Sequence, residues 1–360
     1  MKVFRFFVND LAAVETLLDK AQKGELLKYR ELEFILPSLP NRAPEILPAL
    51  VKIFTSNGLR VGVVIGFAGA VFSLGDMECL GHELSLSGMN SLFRLKFWQC
   101  GLTDAHIKSL LGQFSKPRSL ARVGFDFRAN KIKNLGLEYV SGLIDRGIVG
   151  DDVSFNFISN PRVGDSGVRA LCQSLLRSPL RSGLSLSFSS RNLTSVFLDQ
   201  MAQLIDSGKI NKNGRLMFNC YGFSSNDMRV FIEKIKDTDV MSLKLTLSQA
   251  KFSGKSIELI SEMIRQRRFS QYAQLNMPLA TINDTDVKRL AEVIRFAPSD
   301  FTLNVRQCGI SDEAGYALIH ALTEYGCPLG LRLILDSNGV GALSYQELLN
   351  GFKNGTLSSG

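Results

Sequence analysis

The feature that most constrains this chain is a repeat. Phe93-x-Leu95-x-Phe97-x-x-Cys100-x-Leu102 alternates apolar residues at the period of a strand, then places Cys or Asn, then an apolar anchor. The same string returns as Val123-x-Phe125-x-Phe127-x-x-Asn130-x-Ile132. It appears again as Phe301-x-Leu303-x-Val305-x-x-Cys308-x-Ile310 and Leu331-x-Leu333-x-Leu335-x-x-Asn338-x-Val340. With the register fixed, twelve copies begin at Lys2, Leu32, Val63, Phe93, Val123, Val153, Leu184, Gly214, Leu243, Ala273, Phe301 and Leu331, spaced 28 to 31 residues apart. A period held that steadily implies an array in which every unit buries its apolar side against its neighbours.

Each anchor is followed by a helix-entry signal and an apolar 3.6-residue period. Thr103-Asp104 precedes Ile107, Leu110 and Leu111; Ser311-Asp312 precedes Ala317, Leu318, Ala321 and Leu322; Gly164-Asp165-Ser166-Gly167 reads as a turn and cap. Seventeen residues after the strand start, Leu80, Leu110, Val140, Met201, Phe231, Ile260, Leu290, Leu318 and Leu348 form one apolar column. Parallel strands stack about 4.8 Å apart, whereas packed helices need roughly 8–10 Å. One strand and one helix per unit therefore predict a curved α/β solenoid, with a parallel sheet on the concave face and helices on the convex face.

A period near 30 with a true helix resembles leucine-rich repeats of the ribonuclease-inhibitor-like subtype, and the resemblance spans essentially the whole chain. It implies one solenoid domain over residues 1–360, with residues 1–31 as N-terminal cap and 331–360 as C-terminal cap and tail. The Asn/Cys position of the motif is filled by Asn9, Cys100, Asn130, Asn160, Cys308 and Asn338, but Leu39, Ala70, Arg191, Tyr221, Ala250 and Ala280 stand there in other copies. The buried polar ladder is therefore expected to break in places.

Chemistry-bearing motifs are scarce. The three histidines, His82, His106 and His320, fall in separate outer helices, and there is no phosphate-loop, H-E-x-x-H or G-x-S-x-G pattern. The six cysteines include no C-x-x-C pair and sit in apolar periodic segments, as buried thiols of a reducing, cytoplasmic compartment would. No signal peptide or membrane-spanning run is read from the chain. The expectation is a non-enzymatic protein without cofactor, metal or small-molecule substrate, and a monomer. Net charge is +8, from 42 basic and 34 acidic residues, which is too mixed to favour nucleic acid as the partner.

Binding is then expected on the outward strand positions. Trp98, the single tryptophan, should stand there with Arg94 and Lys96, beside Asp126 and Arg128 and then Asn156 and Ile158. Trp and Arg are the types that most often anchor interfaces. The alternative for Trp98 is to fold over a neighbouring strand or beneath a loop. Small polar residues (Ser154, Asn156, Ser185, Ser187, Ser189, Asn219, Ser248) would floor a smooth trough for a protein surface; the alternative is that they are simply what solvent-facing strands carry.

The irregular Phe-, Lys-, Ser- and Asn-rich copies resemble leucine-rich-repeat proteins that intracellular bacteria such as Legionella deliver into host cells. That resemblance implies type IV secretion, action in the host cytosol and a host protein or another effector as target. It does not extend to an appended ubiquitin-ligase domain, for which only about 20 residues remain after Val340. Similar repeats occur in Ran GTPase-activating proteins, which makes GTPase regulation the alternative reading; electrostatic binding to an anionic membrane or nucleic acid is a further one.

Overall fold

The computed structural model describes residues 3–7, 11–25, 31–35, 63–86, 93–180, 183–210, 214–240, 243–355 and 357. Lys2, Asn9 and Leu39 lie outside the described residues. The chain divides into two compact units, residues 1–193 and 194–360.

The first unit contains β1 (Val3–Phe7), α1 (Leu11–Gln22), β2 (Glu31–Ile35), β3 (Val63–Ala68), α2 (Leu74–Leu86), β4 (Phe93–Trp98), α3 (Asp104–Leu111), β5 (Val123–Asp126), α4 (Asn134–Asp145), β6 (Ser154–Ile158), α5 (Asp165–Arg177) and β7 (Ser185–Ser189). Its strands pair in chain order and all in parallel. The second unit contains α6 (Ser195–Asp206), β8 (Arg215–Asn219), α7 (Ser225–Ile235), β9 (Lys244–Ser248), α8 (Gly254–Arg265), β10 (Gln274–Asn276), α9 (Asp284–Val293), β11 (Thr302–Asn304), α10 (Asp312–Tyr325), β12 (Arg332–Ile334) and α11 (Ala342–Lys353). Its strands are again parallel and in chain order. Both units have the α/β repeat-solenoid architecture that the spacing predicts, and it fits a leucine-rich repeat.

Side-chain alternation sets the layers. In β4, Leu95 and Phe97 are fully buried between sheet and helices, while Arg94 and Trp98 are exposed on the opposite face. In five successive strand segments of the first unit the fifth position is phenylalanine: Phe67, Phe97, Phe127, Phe157 and Phe188 stack with centroid separations of 5.3, 5.9, 5.9 and 6.0 Å. A ring stack at this spacing follows from the strand separation, and each fully buried ring contributes about 1.5–3 kcal/mol. The predicted helical column is buried from Leu80 through Leu318, but Leu348 is only half-buried because it sits in the last repeat.

The residue after the outermost strand position takes a left-handed conformation in most repeats: Gly69, Gln99, Ala129, Ser159, Gln249, Leu279, Gln307 and Ser337. The next residue turns inward and, where it is Asn or Cys, forms the polar ladder; the buried Ala70, Ala250 and Ala280 interrupt it. Asn160, fully buried, accepts from the Ile132 N–H (3.1 Å) and donates to the Phe127 and Phe157 carbonyls (2.9 and 3.1 Å). Asn130 does the same toward Leu102 N and the Phe97 and Phe127 carbonyls. Cys100 and Cys308 substitute a thiol, which donates to the Phe67 and Met277 carbonyls of the preceding repeats (3.4 and 3.1 Å).

Three repeats correct the sequence register. In the second, Leu32 pairs with Phe4 and Ile65, two positions on from the expected strand start. In the other two, Arg191 and Tyr221, expected at the ladder position, are exposed, and Ser190 and Cys220 occupy it. Neither of these copies has a left-handed residue at this point. Cys220 N–H bonds the Ser248 carbonyl at 2.7 Å, as Ala129 N–H and Gln249 N–H bond the repeat that follows theirs, and the thiol is fully buried.

Helix starts are tied across repeats. Asp104 Oδ1 accepts from Lys133 N and Gly136 N (2.7 and 3.0 Å), at the start of the helix one repeat on. Asp312 does likewise for Gly341 N, Leu343 N and Ser344 N (2.8, 3.0 and 3.1 Å). Such carboxylates satisfy orphan N–H groups and favour the positive end of the helix dipole.

Candidate functional site

All seven residues expected at a partner site lie on the open face of the first unit, on β4, β5 with the turn that follows it, and β6. Register fixes their neighbours: Arg94 stands opposite Gly124, then Ser154 and Ser185; Lys96 stands opposite Asp126, then Asn156 and Ser187. Ile158 is paired with Ser189 and is half-buried. On the other side of β4, Val64 stands beside Arg94, Gly66 beside Lys96 and Ala68 beside Trp98.

Trp98 is 50% exposed, so half of its ring surface is open to solvent on this face. A ring of that size in water is a cost that contact with a partner would recover. Arg94 leans across the strand beside it. A Cβ on Gly124 would come within 2.7 Å of Arg94 Cγ and 2.5 Å of Ser154 Oγ. Glycine at 124 is what lets the side chains of both neighbouring strands close over β5.

The structure revises the part expected of Arg128. Its Nε lies 3.0 Å from each oxygen of Asp126, and Nη2 is 2.8 Å from Oδ2. Asp126 also accepts the Arg128 backbone N–H at 3.1 Å. The guanidinium, expected among the anchors for a partner, already meets the carboxylate of Asp126 two residues before it. Asn156 makes the same short turn, accepting the Ile158 N–H at 3.0 Å. The patch therefore offers Trp98 with the cationic side chains Arg94 and Lys96, bordered by a neutralised Asp126–Arg128 pair.

The polar trough splits between the units. Ser154, Ser185, Ser187, Ser189 and Asn156 lie in the first, whereas Asn219 and Ser248 pair with each other in the second. The second unit also holds a recess on its open face, of about 270 Å³, lined by Arg215, Met217, Lys244, Thr246, Gln274, Asn276, Pro278 and Asn304. The outward columns of the sequence contain these residues without marking them. The readable signal was Arg215 and Lys244, consecutive in one column.

The cysteines are free thiols. Burial pushes Cys100 up to about 12 and Cys308 up to about 11, and raises Cys172 and Cys220 as well. Such thiols are poor nucleophiles. The histidines stay in separate helices. His106 is held by Thr103 and the Phe72 carbonyl, His320 lies between Glu324 and Glu347, and His82 is exposed. Among the described residues no three His, Cys, Asp or Glu side chains are grouped to hold a metal ion, and no helix is long and apolar enough to cross a membrane.

Comparison with models of known protein families and with curated proteins gives no match.

Proposed function

We propose that the chain is a non-enzymatic protein-binding module that engages a folded partner on the open sheet face of residues 1–193, with Trp98 as anchor. The observation that carries this reading is the half-exposed Trp98 on rigid, paired strand backbone between Arg94 and the Asp126–Arg128 pair. A large aromatic on a preformed sheet loses little conformational freedom on binding, which is why such residues dominate interface energetics. The period near 30 with one helix per repeat supports the ribonuclease-inhibitor-like subtype. The texture of the repeats supports an effector delivered by intracellular bacteria into a host cytosol, and the free cysteines (Cys100, Cys172, Cys220 and Cys308 buried, Cys79 and Cys327 half-buried) suit that reducing compartment.

The test is a cross-linked pull-down comparing wild type with Trp98→Ala and Arg94→Glu, each checked for native helicity. Loss of an anchor of this kind costs about 2 kcal/mol or more, hence at least roughly thirtyfold in affinity. A partner recovered equally by all three proteins refutes the patch.

A further inference from the structure

The recess in the second unit is built from side chains of one chemical kind. Register sets Arg215, Lys244, Gln274, Thr302 and Arg332 in one outward row, and Met217, Thr246, Asn276, Asn304 and Ile334 in the next. Arg215 and Lys244 are thus directly opposite on adjacent strands. Like charges in that relation are destabilising, and no acidic side chain lines the recess. Among the described residues, the outward positions of these strands carry Arg215, Lys244, Arg306 and Arg332 against Asp336 alone. Burial, and then the charge of Arg215, push Lys244 below the usual lysine range. The carboxamides add donors. Asn304 Oδ1 accepts the Arg306 N–H at 3.0 Å, so its NH2 is the group it has left to offer.

We propose that this recess is an oxyanion site that takes a phosphate group, held between Arg215 and Lys244 and by the carboxamides of Gln274, Asn276 and Asn304. A phosphate monoester carries about −1.5 to −2 charge and three acceptor oxygens, which matches two adjacent cations ringed by amide donors. A carboxylate brings less charge and one oxygen fewer, and so matches this set less closely. Met217 and Pro278 wall the recess with apolar surface, and its volume admits a phosphate group with room for the carbon that esterifies it. The site lies in a different unit from Trp98 and does not depend on the partner reading above.

The experiment uses the full chain with inorganic phosphate and O-phosphoserine as probes, titrated calorimetrically at constant ionic strength against sodium chloride. Lysine acetylation is mapped by mass spectrometry in parallel. Saturable binding is expected, weakened at least about tenfold in Lys244→Gln and in Arg215→Gln, and unchanged in Arg332→Gln, which keeps a like charge change on the same face outside the recess. In wild type, either anion should protect Lys244 from acetylation while Lys251 and Lys255 react as before, a readout that needs no variant to fold. Tighter binding of O-phosphoserine than of phosphate identifies an esterified phosphate as the ligand; equal or weaker binding identifies the free anion. Absence of saturable binding, an equal loss in Arg332→Gln, or Lys244 acetylated at the same rate with and without phosphate overturns the proposal.

Discussion

Replacing Asn160 by alanine isolates the interaction that ties one repeat to the next. The residue is fully buried. Its carboxamide oxygen is the acceptor for the Ile132 N–H, and its NH2 bonds the Phe127 and Phe157 carbonyls. Removing the side chain leaves the Ile132 N–H without that acceptor in the core, at about 1–3 kcal/mol. The Phe127 carbonyl keeps Asn130 and the Phe157 carbonyl keeps the Asn160 backbone N–H, so those two losses cost only about 1 kcal/mol each. The sum is about 3–5 kcal/mol. With a urea slope near 3 kcal/mol/M, the midpoint should fall by about 1–2 M. Trp98 is the single tryptophan and lies in the same unit, so its fluorescence reports this transition. Asn192→Ala is the control, because that exposed side chain bonds the Pro161 carbonyl at the surface and should cost under about 1 kcal/mol. A shift for Asn160→Ala no larger than that of Asn192→Ala would refute the ladder's energetic role.

Two further outcomes follow from the same inter-repeat contacts. Gly183 has φ +72°, and a Cβ there would collide with the Asp152 carboxylate and lie 2.6 Å from Asp152 Cα. Gly183→Ala should therefore cost about 2–4 kcal/mol in thermal or urea unfolding, and Asp152→Gly in the same chain should recover only part of it, since the strained φ remains. Asp312, pushed down to about 2 from 3.8 chiefly by the Ser344 hydroxyl and then the Gly341 N–H, binds a proton less readily folded than unfolded. Its contribution is present above pH 3.8 and is lost as pH falls toward 2. Amide exchange at Gly341, Leu343 and Ser344 should accelerate across that window in wild type, and Asp312→Asn should flatten the dependence; an unchanged profile in Asp312→Asn contradicts the assignment.

Much of this architecture was legible because strand alternation, ladder residue and helical column recur at fixed offsets. The Phe97, Phe127 and Phe157 positions and the Asn130 and Asn160 ladder could be placed from spacing alone. The ladder shift to Ser190 and Cys220 could not. Those two copies lack the left-handed residue that most others have at this point, a backbone choice that side-chain pattern does not encode. The helix-entry aspartates were visible, but Asp104 and Asp312 reach the helix of the following repeat, which only the stacked structure reveals. In the candidate site, the columns put Arg94, Lys96 and Trp98 together on one strand. They could not reveal that Arg128 is held by Asp126, because a pair two residues apart on one strand face is a matter of rotamers rather than of period.

The central claim, that the open face around Trp98 is where a partner sits, is tested most directly by the fluorescence of that single tryptophan. In the free chain the half-exposed indole should be quenched by iodide. In the complex recovered with wild type, the account predicts a blue-shifted emission and loss of iodide access. An indole as accessible in the complex as in the free chain would contradict it.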